Sequence, residues 1–177
     1  TATVTPPPDA FLQATAHGQA ALTKAVLAAI GPAKRVADLF AGCGTFTLPL
    51  AKLAEVHAVE SDAAALAALD VGWRKAVGLK TITTQTRDLF RRPLEPSELD
   101  RFDAVVLDPP RAGAKAQVEA LATSKVPCIA AVSCNPVTFA RDAATLIAGG
   151  YRLDWVQVVD QFRWSPHVEL VGSFTRA

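Results

Sequence analysis

The sequence predicts an α/β fold in which helices cover both faces of a doubly wound, mostly parallel sheet that ends in an antiparallel hairpin. Two observations support this prediction. Short apolar runs rich in β-branched residues alternate along the chain with segments whose apolar residues recur at helical spacing, the order typical of parallel sheets. The last two extended runs, in contrast, follow one another with only a loop between them, as the two strands of a hairpin do.

Composition places the chain among globular proteins. Its 177 residues are 50% hydrophobic and 20% charged, which is enough apolar content for one sizeable core. The formal net charge is only +1, so binding to nucleic acid would need a local basic patch or another domain. Three cysteines without framework spacing argue against a disulfide scaffold and favour a reducing compartment. We therefore expect a cytoplasmic protein, and no apolar run is long enough to suggest a membrane span.

The first part of the chain is predicted to be a stiff linker followed by a long helix. Three consecutive prolines make residues 1–8 the linker. Asp9 is a suitable N-cap for an alanine-rich helix, and Gly31 is a suitable end. Within this helix, periodicity places Phe11 in the core and Gln13 on the surface.

Strands and helices alternate over the rest of the chain. Apolar and β-branched runs predict strands at 35–40, 56–60, 81–86 and 102–107, and a fifth that stops at residue 133. The segments between them predict helices at 47–54, 62–77 and 115–123, with one helical turn within 89–100. A helix that begins at Pro136 and ends at Gly149 precedes the two final extended runs, 151–159 and 168–175.

A pair of glycines follows the first strand. Gly42 and Gly44 come shortly after Asp38, and glycine at such a turn lets the backbone approach a ligand closely. The third glycine of G-x-G-x-x-G is missing, which disfavours a dinucleotide. Glu60 ends the next strand, where an acid can accept both hydroxyls of a ribose, and Asp88 follows the third strand. This pattern matches S-adenosylmethionine better than NAD; the alternative is a plain turn beside a solvated acid.

Asp108-Pro109-Pro110-Arg111 end the fourth strand. The two prolines cannot continue a ladder of hydrogen bonds, so Asp108 is expected to project into the crevice at the carboxyl end of the strand. The pattern resembles that of methyltransferases acting on exocyclic amines, but those carry a base-stacking aromatic residue where this chain has Arg111. That difference disfavours amine methylation. The structural alternative is a rigid turn in which Arg111 pairs with a surface acid.

Cys134 lies at the carboxyl end of the fifth strand. Asn135 is a suitable N-cap and Pro136 a suitable first residue for the helix that follows. Open α/β sheets bind ligands at this edge, and a helix N-terminus stabilises a thiolate, the nucleophilic form of cysteine. The alternative is a small core residue, which is our interpretation of Cys43 and Cys128.

A cysteine and a carboxylate together suit methylation of a pyrimidine at C5. Addition of a thiolate to C6 makes C5 nucleophilic toward a methyl sulfonium, and a base must remove the C5 proton before the thiolate leaves. Glu169, which opens the last extended run, is the candidate base for Cys134, although alone it would more often be a solvated edge charge. Asp108 and Arg111 would orient the ring. No Cys or His cluster has metal-ligand spacing, so no metal is expected.

Together these motifs resemble the RNA uracil-C5 methyltransferases, which form 5-methyluridine in transfer or ribosomal RNA. The matching runs cover nearly the whole chain in order: Phe11-x-Gln13, Asp38–Ala51, Val59–Glu60, Asp108–Gly113, Ser133–Asp142 and Asp160–Glu169. The resemblance implies a Rossmann-like class I S-adenosylmethionine-dependent methyltransferase, with Cys134 as nucleophile and Glu169 as proton acceptor. It implies that Phe11 and Arg111 orient the substrate. The residues expected to contact the cofactor or the target base are Gln13, Phe40, Gly42, Gly44, Thr45, Glu60, Asp88 and Asp108.

Two positions and the domain organisation depart from the family. Thr45 and Val77 stand where members commonly have asparagine. Members usually carry an N-terminal oligonucleotide-binding domain and a central domain, and some carry an iron–sulfur cluster on four upstream cysteines; this sequence has none of these. The chain begins at Thr1 and contains no methionine, so we expect a fragment of a longer protein. Residues 9–177 would then be the methyltransferase domain alone.

The expected partner is RNA, bound tightly only with the help of the missing N-terminal domain. Two rival hypotheses remain. The chain could be a cofactor-binding domain that cannot dock RNA productively, or an amine or small-molecule methyltransferase that uses Asp108 and Arg111 and does not need Cys134. The motifs indicate neither which uridine is methylated nor an oligomeric state.

Overall fold

A computed structural model describes residues 2–8, 10–161 and 164–176 of the chain. The helices and strands, in chain order, are α1 (Ala16–Ile30), β1 (Arg35–Leu39), α2 (Thr47–Leu50), β2 (Glu55–Glu60), α3 (Ala63–Arg74), β3 (Ile82–Thr86), α4 (Pro96–Leu99), β4 (Ala104–Leu107), α5 (Lys115–Thr123), β5 (Cys128–Ser133), α6 (Pro136–Ala148), β6 (Tyr151–Val159) and β7 (Glu169–Arg176). Helix α2 is shorter than predicted, because bonds from Lys52 N to Pro49 O and from Leu53 N to Leu50 O tighten the chain after it.

Seven strands form one sheet in the order β3-β2-β1-β4-β5-β7-β6. Strands β1 to β5 pair in parallel, and β7 runs antiparallel to both of its neighbours, β5 and β6. The predicted mostly parallel sheet with a terminal antiparallel hairpin is therefore confirmed. The strand order reverses between β1 and β4, which pair directly, so the crevice that binds ligands in such sheets lies beyond their carboxyl ends.

Helices on both faces bury most residues of the central strands β1, β4 and β5. All four residues of β4 are buried, and they alternate between two cores. Val105 and Leu107 pack in the core that includes residues of α5 and α6, whereas Ala104 and Val106 pack in the core that includes residues of α1 and α2. Strands buried on both faces are apolar throughout, which is why the AVVL run was recognisable as a strand.

Helix α1 begins at Ala16, so the prediction that it begins at residue 9 was wrong. Thr15 is the N-cap, and its side-chain oxygen accepts a hydrogen bond from the backbone N–H of Gly18 at 3.0 Å. Residues 10–14 are not helical, and Phe11, predicted to be core, is 75% exposed. Asp9, the predicted cap, lies outside the described residues.

The N-terminal segment predicted to be a linker packs on helix α3. A Cβ atom on Gly72 would lie 2.6 Å from Val4 Cγ2 and 2.9 Å from the carbonyl oxygen of Thr3. Because a side chain at position 72 would overlap this segment, glycine permits the close approach. Residues 2–8 therefore contact the domain along part of their length.

Candidate active site

A cavity of about 430 Å³ opens at the carboxyl edge of the sheet. Loops after β1, β2, β4 and β5 contribute to it, together with the segment before α1 and the start of β7. Most of the residues predicted for the site line it: Phe11, Gln13, Phe40, Gly42, Thr45, Glu60, Asp108, Arg111, Cys134 and Glu169. Gly44 and Asp88 do not line this cavity, and their contacts with a cofactor stay predictions.

The turn after β1 has backbone angles that few residues adopt. Gly42 has φ 53° and Gly44 has φ 96°, both in the left-handed region that favours glycine. Phe40 has φ 63°, a strained conformation for a residue with a bulky side chain, and it lines the cavity. Gly44 serves packing instead, because a Cβ there would lie 2.5 Å from Leu69 Cδ1 on α3.

The carboxylate of Glu60 ties the ends of β1 and β2 together. Its Oε2 accepts a hydrogen bond from the backbone N–H of Gly42 at 3.0 Å. Its Oε1 accepts from the backbone N–H groups of Ser61 and Asp62 and from the Ser61 hydroxyl, at 2.6, 3.0 and 2.9 Å. Oε1 thus accepts from three donors and Oε2 from one, so Oε2 keeps a lone pair that none of these donors uses. A ligand hydroxyl at Glu60 can donate to Oε2, or to Oε1 in place of the Ser61 hydroxyl, the one donor among the four that rotates freely.

Phe90 is a cavity residue that the sequence analysis missed. Its ring lies 5.3 Å from that of Phe40, centroid to centroid, so the two form an aromatic wall. Asp88 sets the position of this wall, because its Oδ1 accepts hydrogen bonds from the backbone N–H groups of Phe90 at 2.9 Å and Arg91 at 3.3 Å. The sequence signal that could have identified Phe90 is its place two residues after Asp88, the acid that follows β3. Cys43, predicted to be a packing residue, is buried but also lines the cavity.

The guanidinium of Arg87 anchors the loop that carries Phe90. It donates to the carbonyl oxygens of Arg92 and Pro93, at 2.7 and 2.5 Å, and to both carboxylate oxygens of Glu98, at 2.8 and 3.0 Å. The side chain of Arg87 is 15% exposed and that of Glu98 is 35% exposed, so the guanidinium is the more sheltered partner of this pair. The loop between β3 and β4 is thereby held against the domain.

The first turn of α6 positions both Cys134 and Arg111. Asn135 caps the helix as predicted, its Oδ1 accepting from the backbone N–H of Val137 at 3.0 Å. Its Nδ2 donates to the carbonyl oxygen of Arg111 at 3.1 Å, and the Thr138 hydroxyl donates to the same oxygen at 3.2 Å. The Asp-Pro-Pro-Arg loop is thus hydrogen-bonded to the helix that follows the cysteine.

Two features of its surroundings oppose ionisation of the Cys134 thiol. Burial and the negative charge of Glu169 raise its pKa above the ordinary value, and the nearby guanidinium of Arg111 offsets only part of that effect. The role of Cys134 as nucleophile stays a prediction, and in the free protein burial and Glu169 outweigh the contribution of the helix N-terminus. The physical reason is that the thiol is half-buried beside a carboxylate, and both features disfavour a second negative charge.

Besides Glu60, three further carboxyl groups at this edge of the sheet are buried or half-buried. Burial raises the pKa of Asp108 to about 8, with further contributions from the charges of Asp38 and Glu169. Burial also raises the pKa of Asp38 to about 7, although a hydrogen bond from the Thr47 hydroxyl to its Oδ2 at 2.5 Å favours the charged form. Asp38 Oδ1 is buried without a hydrogen-bond partner among the described residues. Burial raises the pKa of Glu169 as well, and Arg111 lowers it. Asp108 can consequently donate a hydrogen bond near neutral pH.

We expect the free energy of unfolding to fall as the pH rises from about 4 to about 8. In this window the native Asp38 and Asp108 keep protons that the unfolded chain releases near pH 3.8, so raising the pH favours unfolding. At 1.36 kcal/mol per pKa unit, Asp38 alone accounts for about 4 kcal/mol at most. Urea unfolding at pH 5 and pH 8.5 measures the slope, which should be smaller in Asp38→Asn. An equal slope in the variant would contradict the assignment.

No group of three or more His, Cys, Asp or Glu side chains within 2–8, 10–161 and 164–176 could hold a metal ion. Across the same ranges, the longest apolar helices fall short of what crossing a membrane requires.

Comparison with known proteins agrees with this geometry. A profile of the tRNA (uracil-5-)-methyltransferase family matches residues 6–176. An RNA methyltransferase of Rhizobium meliloti is 58% identical over 174 residues, which are 98% of this chain and 42% of the relative. The 23S rRNA (uracil(1939)-C(5))-methyltransferase RlmD of Chromohalobacter salexigens is 40% identical over 172 residues, 96% of this chain and 35% of the relative. The chain thus spans about two fifths of the length of these relatives.

A solved structure shares both the fold and part of the sequence. The Pyrococcus abyssi tRNA (uracil-54, C5)-methyltransferase, crystallised with S-adenosyl-L-homocysteine, superposes with a TM-score of 0.81 at 30% identity. The match covers 95% of this chain and 41% of that one. The predicted Rossmann-like methyltransferase fold is therefore confirmed. Because the family profile covers almost the whole chain, this protein belongs to the tRNA (uracil-5-)-methyltransferase family.

Proposed function

We propose that this chain is the catalytic domain of an RNA methyltransferase that transfers a methyl group from S-adenosylmethionine to C5 of a uridine through a covalent cysteine adduct. The observation that carries the proposal is the convergence of Cys134 and Glu169 in one cavity with Gly42 and Glu60. These four residues come from four separate elements, and each has the chemistry that its part of the reaction needs. Membership of the family supports the same reaction.

The residues of the cavity fit S-adenosylmethionine. The turn at Gly42 leaves the backbone open to a ligand, Glu60 offers a carboxylate for ribose hydroxyls, and the wall of Phe40 and Phe90 offers apolar surface for an adenine. When bound, this cofactor supplies a methyl group on a positively charged sulfur. We infer that Gln13, Thr45 and Asp108 complete the contacts to the cofactor or the base, as the family resemblance implies.

The chemistry of the base follows from the two reactive side chains. The Cys134 thiol loses its proton to solvent and its sulfur bonds to C6 of the uracil, while the C5–C6 π electrons move toward the C4 carbonyl and form an enolate. C5 would then bond to the methyl carbon as the bond from that carbon to the sulfonium sulfur breaks, and S-adenosyl-L-homocysteine would leave. Glu169 takes the C5 proton, the C5–C6 double bond re-forms, and the bond from C6 to sulfur breaks, which regenerates the thiolate. Arg111 and Asp108, which holds a proton near neutral pH, stabilise the negative charge on the enolate oxygen.

The net charge bears on how tightly the domain binds RNA, and the cysteines bear on where in the cell it works. With a net charge of +1, the domain offers little non-specific affinity for phosphate. We infer that tight RNA binding needs a further RNA-binding domain in the longer protein, and its relatives exceed this chain in length. All three cysteines are unpaired, which suits the reducing cytoplasm.

The test is methyl transfer to unmodified RNA. The chain is incubated with isotopically labelled S-adenosylmethionine and RNA transcribed in vitro, and the RNA is digested to nucleosides for mass spectrometry. We expect labelled 5-methyluridine. Label on an exocyclic amine would favour the rival in which Asp108 and Arg111 methylate nitrogen. No labelled nucleoside, with S-adenosylhomocysteine binding measured separately, would favour a cofactor-binding domain.

A further inference from the structure

The side chain of Gln161 connects the loop after β6 to the segment before α1. Its Oε1 accepts a hydrogen bond from the backbone N–H of Thr15 at 3.3 Å, and its Nε2 donates to Oε1 of Gln13 at 2.9 Å. The Thr15 hydroxyl lies 3.5 Å from the same oxygen of Gln161. Gln13 lines the active-site cavity and Gln161 does not. A glutamine outside the cavity therefore holds one that faces into it; we call Gln13 and Gln161 the glutamine pair.

The orientation of both amides follows from a single donor. A backbone N–H can only donate, so Thr15 directs the oxygen of Gln161 toward itself and the NH2 group of Gln161 toward Gln13. Gln13 must then present its oxygen to Gln161, and its own NH2 group is left for the cavity. A lone glutamine could turn its amide to suit a donor or an acceptor. Gln13, held in this way, offers the cavity donors alone.

Gly18 leaves room for this arrangement. It is buried in the first turn of α1, and a Cβ atom there would overlap the side-chain amide of Gln161. Glycine is unfavourable inside a helix. The space that the Gln161 amide needs explains why glycine nevertheless occupies position 18. The contact also joins two parts of the chain that are far apart in sequence.

We propose that Gln161 is a positioning residue that orients Gln13 so that the Gln13 NH2 group binds an acceptor oxygen of the ligand. The inference rests on the proposed function, under which two ligand groups offer such an oxygen: a carbonyl of the target uracil and the carboxylate of the cofactor. Uracil has a carbonyl at C4 where cytosine has an amino group, which is a donor. If the uracil carbonyl is the partner, the glutamine pair selects uracil over cytosine.

The decisive variant is Gln161→Glu. The introduced carboxylate still accepts from Thr15, but its second oxygen needs a donor, so Gln13 turns its NH2 group out of the cavity and presents its oxygen there. For a uracil partner, kcat/KM on uridine-containing RNA falls by about ten- to a hundred-fold, the ratio of cytidine to uridine methylation rises, and the affinity for S-adenosylhomocysteine stays the same. For a cofactor partner, that affinity falls by about tenfold or more and the base ratio does not move.

Two further variants distinguish an effect of the Gln13 amide orientation from an effect of the added charge or of a disturbed fold. Gln157→Glu adds the same charge at an exposed site on β6 and should change neither quantity. Gly18→Ala introduces a better helix former yet displaces Gln161, so we expect the helix to persist while the same ligand contact weakens. Unfolding curves of each variant, read by circular dichroism, show whether the fold is retained.

The side-chain amide resonances of Gln13 in ¹⁵N NMR spectra test the orientation without any RNA. They should move in Gln161→Glu and stay in place in Gln157→Glu. The two proposals can fail separately. If the wild-type chain transfers no methyl group, but Gln161→Glu shifts the Gln13 resonances and weakens S-adenosylhomocysteine binding, the proposed function is wrong and the inference about the glutamine pair is supported. Unchanged Gln13 resonances in Gln161→Glu would overturn the inference.

Discussion

Replacing Cys134 with alanine is expected to reduce methyl transfer by about 10³-fold or more while S-adenosylhomocysteine binding persists. No other described thiol combines a place in this cavity with the end of a strand next to Glu169. The change removes one half-exposed sulfur and leaves the Asn135 cap intact, so we expect the fold to survive. Calorimetric binding of S-adenosylhomocysteine and labelled methyl transfer to RNA measure the two properties separately.

RNA that contains 5-fluorouridine tests the covalent step directly. Fluorine at C5 cannot leave as a proton, so the adduct between Cys134 and C6 should accumulate and appear by intact mass as protein joined to methylated RNA. Cys134→Ala should form no adduct, whereas Cys128→Ala should form it as the wild type does, because Cys128 lies on β5 away from the cavity. Methyl transfer to uridine that persists in Cys134→Ala would rule out the covalent mechanism.

The Glu169→Gln variant is expected to trap the same adduct on ordinary RNA. Glutamine has nearly the same shape as glutamate but cannot accept the C5 proton, so addition and methylation proceed while elimination slows. Loss of a positioned general base costs about 10²- to 10⁴-fold in turnover. Glu169 is 5% exposed, so water cannot readily take over its role. Intact mass of the protein after incubation with RNA and S-adenosylmethionine is the measurement.

The double variant that combines Cys134→Ala with Glu169→Gln is the control for this trap and should give no adduct.

A further measurement on Glu169→Gln needs no RNA. Because the charge of Glu169 raises the pKa of Cys134, its removal should lower that pKa, and the reaction of the thiol with iodoacetamide should begin at a lower pH. Fast turnover by Glu169→Gln without adduct would assign the proton to another base.

The strained Phe40 and the loop anchored by Arg87 give one side of the cavity a firm wall. Phe40 lies in the left-handed region at the end of β1, and Phe90 packs on it from the loop that Arg87 holds. Backbone strain of this kind persists only where the surrounding structure over-determines it. Both rings therefore stay at the cavity without a ligand to order them.

The architecture and most of the residues that line the cavity could be predicted from the amino-acid sequence. The alternation of apolar runs with helical periods predicts a parallel sheet, and the carboxyl ends of parallel strands meet at one edge. Glu60, Asp108 and Cys134 each end or follow a strand, so their convergence in one cavity could be predicted from the strand ends alone. Local signals also predicted the Asn135 cap, because capping depends on a few neighbouring residues.

Properties that depend on residues distant in the sequence became apparent only in the folded structure. Phe11 is exposed because α1 begins only at Ala16, after the Thr15 cap, whose backbone N–H is bound by Gln161. The raised pKa of Cys134 arises from burial beside Glu169, a residue far along the chain. Periodicity and propensity describe a residue's own element, whereas burial, charge proximity and amide orientation are properties of the space between elements. That space exists only once the chain has folded.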